Sequence, residues 1–511
     1  MRKFSLLLSL FLGLCLIVCN VEASSNEQLL QSRSLAFRVD YQPIFISNQP
    51  ALGVTGVHGL AISQAGFYGG VGLYGAVHGQ YGGLFILGGD VGWQHQIDGP
   101  LWFDAGSFFG GGGGASAPVH NGTVVDPHVG FKYDLGQLML GISYSHFGFI
   151  NSQLQGNTVM LLLDIPFSWY EVGTSSDNNT KWSFDDLSNK DITFNHAYLA
   201  LSGGVNQPKS GTTNRADVVE DNAYSLLGVS YGYYLTPHLF AFGKTDASWH
   251  NNAGFQDVFL GSGYDALLTP NIKGLAKLGV GAGGGGGVDT GGGVLLHPSL
   301  AAEYRLWHSF ALGVSGGYIL GPDADYHAFT TRLNLKYYFN IASKDDDGIP
   351  SKHYDNFDTQ GWRVGIANQL MVSPQRNSDR NTDDNVNLFT FQLDYLLNPY
   401  TYLSGQTSYA YDGDAGAYAS GMLGIGAQTP YFLNNSLQAF GAIYTGAAGG
   451  GGIDTGNGLL MRPEVGLTAP ITKNVSLHAS VGPTLTMDAS DLNSTTLEVG
   501  VSYQFDALFG Y

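Results

Sequence analysis

Two Asp-Thr-Gly triplets, beginning at Asp289 and Asp454, stand 165 residues apart, and each follows an apolar residue. Aspartic proteases pair two such triplets so that two carboxylates share one proton and activate water. Here each triplet lies inside a glycine run at the same place in a longer repeat, and the earliest copy has Ala115-Ser116-Ala117 instead. The repeat alone accounts for the spacing, and a glycine-rich tip carrying an aspartate is an ordinary hairpin turn. The glycine runs are not phosphate loops, because no Gly-Lys-Ser/Thr follows and no helical periodicity begins there. They are expected to act sterically, letting a strand bend or another backbone come close and making room for bulky inward residues. His120, His128, His250, His297 and His327 could serve a hydrolase, but none sits in a recognisable spacing and His-Glu-x-x-His is absent. They are expected as solvated loop or girdle residues. The acidic groups Asp345–Asp347, Asp379–Asp384 and Asp412–Asp414 are expected as solvated loops. No catalytic, cofactor-binding or metal-ligating residue is assigned, no cofactor is implied, and the chain is expected not to be an enzyme.

The elements carrying these residues read as strands. The last one places Leu497, Val499, Val501, Tyr503 and Phe505 on one face, against Glu498, Gly500, Ser502 and Gln504. A second alternates Phe329, Thr331, Leu333, Leu335, Tyr337 and Phe339 with Arg332, Asn334 and Lys336. A third alternates Val159, Leu161, Leu163, Ile165, Phe167 and Trp169 with Thr158, Asp164 and Ser168. Such alternation is what a strand shows when one face meets lipid and the other a polar interior, and about ten residues suit a tilted strand crossing a bilayer. Trp169, Tyr170, Tyr233, Tyr234, Trp249, Trp307, Tyr337 and Tyr409, near strand ends, read as interfacial girdles.

Composition narrows the class. The formal net charge is −19, so nucleic-acid binding is not expected, because phosphate would be repelled. Charged residues make up only 12%, while glycine (74), tyrosine (29) and phenylalanine (29) are abundant. Arg2 and Lys3, the apolar run Leu6–Val18 and then Val21-Glu22-Ala23 predict a cleaved secretory signal over 1–23. Both cysteines, Cys15 and Cys19, fall inside it, so the mature chain must gain its stability without disulfides. Leu14 and Val18 precede them where a lipoprotein anchor needs a small residue. No other segment approaches the ~18 consecutive apolar residues of a transmembrane helix.

A repeat organises the rest. Residues 283–298 read GGGGGVDTGGGVLLHP, residues 449–463 read GGGGIDTGNGLLMRP, and 110–127 hold the looser GGGGGASAPVHNGTVVDP. Pro127, Pro298 and Pro463 are equivalent, which sets a period of about 165–170 residues. Asn48-Gln49-Pro50 matches Asn206-Gln207-Pro208, and Thr269-Pro270 matches Thr429-Pro430. The expected organisation is repeat one over 24–170, a linker over 171–192, repeat two over 193–340, a linker over 341–360, and repeat three over 361–511. Each repeat holds about eight candidate strands. Short Thr-Pro or Asn-Pro turns alternate with long polar connections such as 207–221 and 373–385, an asymmetry that predicts short turns on the periplasmic side.

On these strands and turns, each repeat resembles an eight-stranded outer-membrane barrel of the OmpA-transmembrane or opacity-protein type, and Leu497–Phe505 resembles the insertion signal of such proteins. The resemblance departs in having three units in tandem and a tail, Asp506–Tyr511, beyond the expected terminal aromatic. The expected fold is all-β, with antiparallel transmembrane β-barrels in three repeats of about eight strands; the alternative is one barrel of about 24 strands. The function expected is that of a non-enzymatic integral outer-membrane protein with a structural or surface-interaction role. A large single-barrel porin or export channel, and a soluble secreted array of β domains (an adhesin or coat component), are the alternatives. The expected partners are outer-membrane lipid and lipopolysaccharide and the insertion machinery of a Gram-negative bacterium. Nothing identifies an extracellular partner.

Overall fold

The computed structural model describes residues 30–46, 50–172, 181–182, 192–307, 309–343, 349–350, 357–377, 384–487 and 492–510. The signal segment 1–23, Asn48-Gln49, Asp345–Asp347 and most of Asp379–Asp384 lie outside them, as does much of both linkers.

The alternating runs form strands. The first set is β1 (Leu30–Ile44), β2 (Leu52–Ile62), β3 (Phe67–His78), β4 (Phe85–Asp98), β5 (Leu101–Gly113), β6 (Thr123–Asp134), β7 (Met139–Phe149) and β8 (Gln155–Val172). After a two-residue β9 (Lys181–Trp182) come β10 (Thr193–Pro208), β11 (Tyr224–Tyr234), β12 (Leu239–His250), β13 (Gln256–Thr269), β14 (Ile272–Gly284), β15 (Val294–Arg305), β16 (Phe310–Leu320) and β17 (His327–Ser343). Another short piece, β18 (Ile349–Pro350), precedes β19 (Phe357–Val372), β20 (Val386–Asn398), β21 (Thr401–Asp412), β22 (Ala419–Gln428), β23 (Gln438–Gly449), β24 (Leu459–Pro470), β25 (Val475–Thr486) and β26 (Asn493–Gly510). Each linker contributes one short strand piece, β9 on β19 and β18 on β10.

Each set of eight closes on itself. β1 pairs with β8 from Leu30↔Val172 to Tyr41↔Leu161, β10 with β17 from Thr193↔Ser343 to Pro208↔Ala328, and β19 with β26 from Phe357↔Gly510 to Val372↔Thr495. Closure pairs the edge N–H and C=O groups along those stretches without water. Among the described residues, long strands of different sets share ladder pairs only near one end, at Ser343↔Trp169, Ile341↔Phe509, Asp506↔Val172 and Ala507↔Glu171. Eight strands, rather than 24, therefore complete each ring.

Side-chain parity follows the sequence alternation. On β17, Thr330, Arg332, Asn334 and Lys336 are buried inside, while Phe329 and Leu333 are 63% and 55% exposed outside. On β26, Glu498 and Ser502 point in and Val499 points out. In the sixth strand of each barrel the ladder to the seventh is interrupted around Pro127, Pro298 and Pro463, because proline brings no N–H. The turns at one end are tightened by side-chain oxygens: Thr236 Oγ1 accepts from Leu239 N (3.0 Å) and Asn398 Oδ1 from Thr401 N (2.9 Å). The Thr429-Pro430 turn departs from the tight connection expected, since Tyr431–Ser436 intervene before β23.

The barrels pack into one bundle. At the turn end, Trp169, Phe339, Phe505 and Phe509 from all three join one apolar cluster. At the loop end, Phe85 and Leu87 meet Ala282 and Phe389, Tyr409 and Tyr411 in another. Around this second cluster the glycine hairpins dock in a cycle. A Cβ built on Gly111 of the first barrel would fall 2.6 Å from Ala410 O of the third; one on Gly449 of the third, 2.4 Å from Gly254 N of the second; one on Gly83 of the first, 2.4 Å from Gly285 N of the second. Each fifth-to-sixth-strand hairpin thus lies backbone against backbone on the third-to-fourth-strand hairpin of a neighbour. Only glycine permits that approach.

Candidate functional site

Eight-stranded barrels have an interior that side chains fill. In the first barrel, β1 sends Arg38, Asp40 and Gln42 inward at period two. Arg38 donates from Nε and Nη2 to Asp164 at 2.7 and 2.9 Å, and from Nη2 to Asp104 at 3.0 Å. Lys132 Nζ lies 2.8 Å from Asp104 and 2.9 Å from Asp164, closing a four-membered charge network. Beside it, His58 bridges Asp90 through Nδ1 (2.8 Å) and Asp40 through Nε2 (2.9 Å). Gly72 makes the room, since a Cβ there would fall 2.0 Å from His58 Nδ1.

The second barrel holds Asp246 between Lys244 (2.7 Å) and Arg332 (3.0 Å), and Glu303 accepts from Tyr338 (2.7 Å) beside Lys336. The third pairs Arg363 with Asp394 (2.7 Å), while Gln369 donates to Glu498 (2.6 Å) and His478 lies 3.3 Å from Glu498. Opposite charges paired by hydrogen bonds fill each narrow ring as a plug; in the first two barrels they also join strands that are not neighbours, Arg38 on β1 to Asp104 on β5 and Arg332 on β17 to Asp246 on β12.

The residues singled out in the sequence disperse. Asp289 and Asp454 lie in different barrels, and each accepts from its own loop, from Gly291 N (2.9 Å) and Gly456 N (3.2 Å). His120 and His250 are exposed, as expected, and His327 is half-buried. His128 and His297 correct the solvated reading: both are buried inside barrels, His128 beside Asp104 (3.1 Å) and His297 on Thr330 (3.0 Å). Their positions in phase with the inward face of β6 and β15 are the signal that spacing motifs overlook. His58, which no motif marks, is the most enclosed of these rings. Two girdle assignments are also corrected. Tyr234 is inside the second barrel, donating to Asp265 (2.6 Å), and Tyr409 is buried between barrels, donating to Gln256 of the second (2.5 Å). Trp307 remains on the outside, 69% exposed.

At the loop end, side chains cross the other two seams as well. Asn121 of the first barrel donates to Asp412 of the third (2.9 Å) and accepts from Asp414 N (3.1 Å), so this acidic group is a junction rather than a free loop. Arg215, from the first loop of the second barrel, donates to Ala115 O and Gly82 O of the first, both at 2.5 Å. Burial lowers the Arg215 pKa from its ordinary value, and the charge of Asp289 opposes that shift.

No family model matches the chain, and no curated protein does. Among solved structures it is similar to Pseudomonas aeruginosa OccK11 (OpdR), at 12% identity over 93% of this chain and 96% of that one, with a TM-score of 0.21. It is also similar to the ferric enterobactin receptor PfeA of that organism in complex with BCV-L6, at 11% identity over 93% and 81%, TM-score 0.25. The FrpB iron transporter of Neisseria meningitidis gives 9% identity over 93% and 81%, TM-score 0.27. Similarities of that size carry neither the architecture nor the function of those proteins over to this chain.

Proposed function

We propose that the chain is a non-enzymatic integral outer-membrane protein of a Gram-negative bacterium, in which three plugged barrels hold the long loops on one face for a structural or surface-interaction role. The observation that carries this reading is the outer surface of the closed rings. Mid-strand side chains such as Leu300 (68%), Val465 (63%) and Val499 (62%) stand exposed, while the strands' polar residues are turned inward. A soluble protein rarely exposes a continuous apolar band, and lipid is the solvent that suits one. Lipid, lipopolysaccharide and the insertion machinery are the partners this location implies. Carbonate extraction of cell envelopes tests it: the full chain is expected to stay with the membrane, whereas a soluble array of β domains would be released. Leu300→Arg, at the middle of β15, is expected to cost about 2–4 kcal/mol in phospholipid vesicles. The check is the urea midpoint of the vesicle-inserted protein, and an unchanged midpoint would count against lipid at that face.

A channel is the second reading, favoured by one observation. The third barrel keeps an internal cavity of about 20 Å³, bordered by Arg363, Asp394, Tyr402, Glu464, His478 and Glu498. That is room for about one water, and charged walls would suit a narrow hydrated path. Planar-bilayer recordings of the full chain separate the two readings. The plugged barrels are expected to give no large stable conductance; such a conductance would put the channel first.

A further inference from the structure

We infer that the seam between the second and third barrels holds, at the loop end, a binding site for a neutral, hydroxyl-rich ligand of the saccharide class. The bundle is cyclic, yet its three seams are not alike. Asn121 spans one and Arg215 another. At the remaining seam Tyr409 donates to Gln256 (2.5 Å) and the hairpins touch at Gly254 and Gly449, and beside that contact lies an open pocket of about 270 Å³. Its walls are Glu220, Asn222, Asn251, Asn252, Ala253 and Asn457, with the backbone of Gly456.

The chemistry of this wall selects a ligand. Four amides line it, a mix of donors and acceptors that complements vicinal hydroxyls even with one Asn251 N–H spent on Ala223 O, and Glu220 adds an acceptor. No cation lines the pocket to hold an anion, and Ala253 is the one apolar side chain, so an apolar ligand would gain little. One carboxylate is a poor cation site, and no metal-ligating cluster occurs among the described residues. The wall is also set in place. Asn251 donates to Ala223 O (2.9 Å), and Glu220 accepts from Asn214 (3.0 Å). Asn251 and Asn252 occupy the left-handed region at φ 55° and 50°, which asparagine tolerates.

The site deepens the surface-interaction reading and rests on it only for the source of the saccharide, since binding itself can be measured away from any membrane. The experiment uses the full chain in detergent micelles on an array of neutral and anionic oligosaccharides, with and without EDTA. A neutral oligosaccharide is expected to bind, indifferent to EDTA, and to bind at least tenfold more weakly to Asn222→Ala/Asn457→Ala. Ala253→Leu, which fills the pocket and keeps the amides, is expected to weaken binding as well. Unchanged heat-modifiable gel mobility establishes that both variants are folded. No retained oligosaccharide, binding abolished by EDTA, or equal binding by wild type and both folded variants would each overturn the inference. Carbonate extraction reports on the membrane reading independently of any of these results.

Discussion

Arg38→Ala is expected to destabilise the first barrel by about 3–5 kcal/mol, the cost of breaking a buried ion pair from one side. Arg38, Asp104 and Asp164 are nearly inaccessible, at 3%, 0% and 3% side-chain exposure. Without the guanidinium, two buried carboxylates face the single ammonium of Lys132. Arg38→Lys keeps the charge but loses the fork that reaches both carboxylates, so an intermediate loss is expected. Arg38→Met/Asp164→Leu removes donor and acceptor together and is expected to recover much of it, because a buried ion pair contributes little over a well-packed apolar one. Urea unfolding in detergent micelles, followed by tryptophan fluorescence, ranks the variants. Equal midpoints for Arg38→Ala and wild type would mean that the plug does not hold the ring closed.

The second large effect concerns the bundle rather than any ring. Gly449→Val would drive a Cβ to 2.4 Å from Gly254 N and 2.7 Å from Gly254 Cα. Both are backbone atoms, and Gly254 itself sits at φ 88°, so the neighbour cannot yield by a rotamer change. Overpacking of this kind costs about 1–3 kcal/mol where side chains can adjust, and a backbone seam is stiffer. The expected result is a third barrel that still closes but no longer docks on the second, seen as a separate early transition in thermal unfolding. Gly421→Val is the control. It makes the same chemical change on β22, where a Cβ would meet nothing within 4 Å, and is expected to leave a single transition. If Gly449→Val also unfolds in one step at the wild-type midpoint, the seam does not depend on glycine.

The alternation of β8, β17 and β26 by itself determined which side chains point into a ring and which point out, because parity along a strand is a local property. The equivalent prolines, the Thr-Pro and Asn-Pro turns and the glycine hairpins were likewise legible as landmarks of a repeat. Parity was also sufficient to place His128 and His297 inside, but a search for motif spacings passes over it. What no local pattern contains is the identity of whatever covers an outward face. Tyr409 and Phe505 have the parity of lipid-facing residues, yet another barrel lies against them. The glycine runs could be read as places of close approach, but their partners lie far off in the chain, Gly111 against Ala410 and Gly83 against Gly285. Ring closure is of the same kind. Whether β8 returns to β1 or continues to β10 is decided by pairing between the first and last strands of a set, and one strand's alternation is equally compatible with both. The tertiary structure decided the number of rings, the seams between them and the pocket one seam leaves open, because each depends on contacts between segments whose separation in sequence carries no local signature.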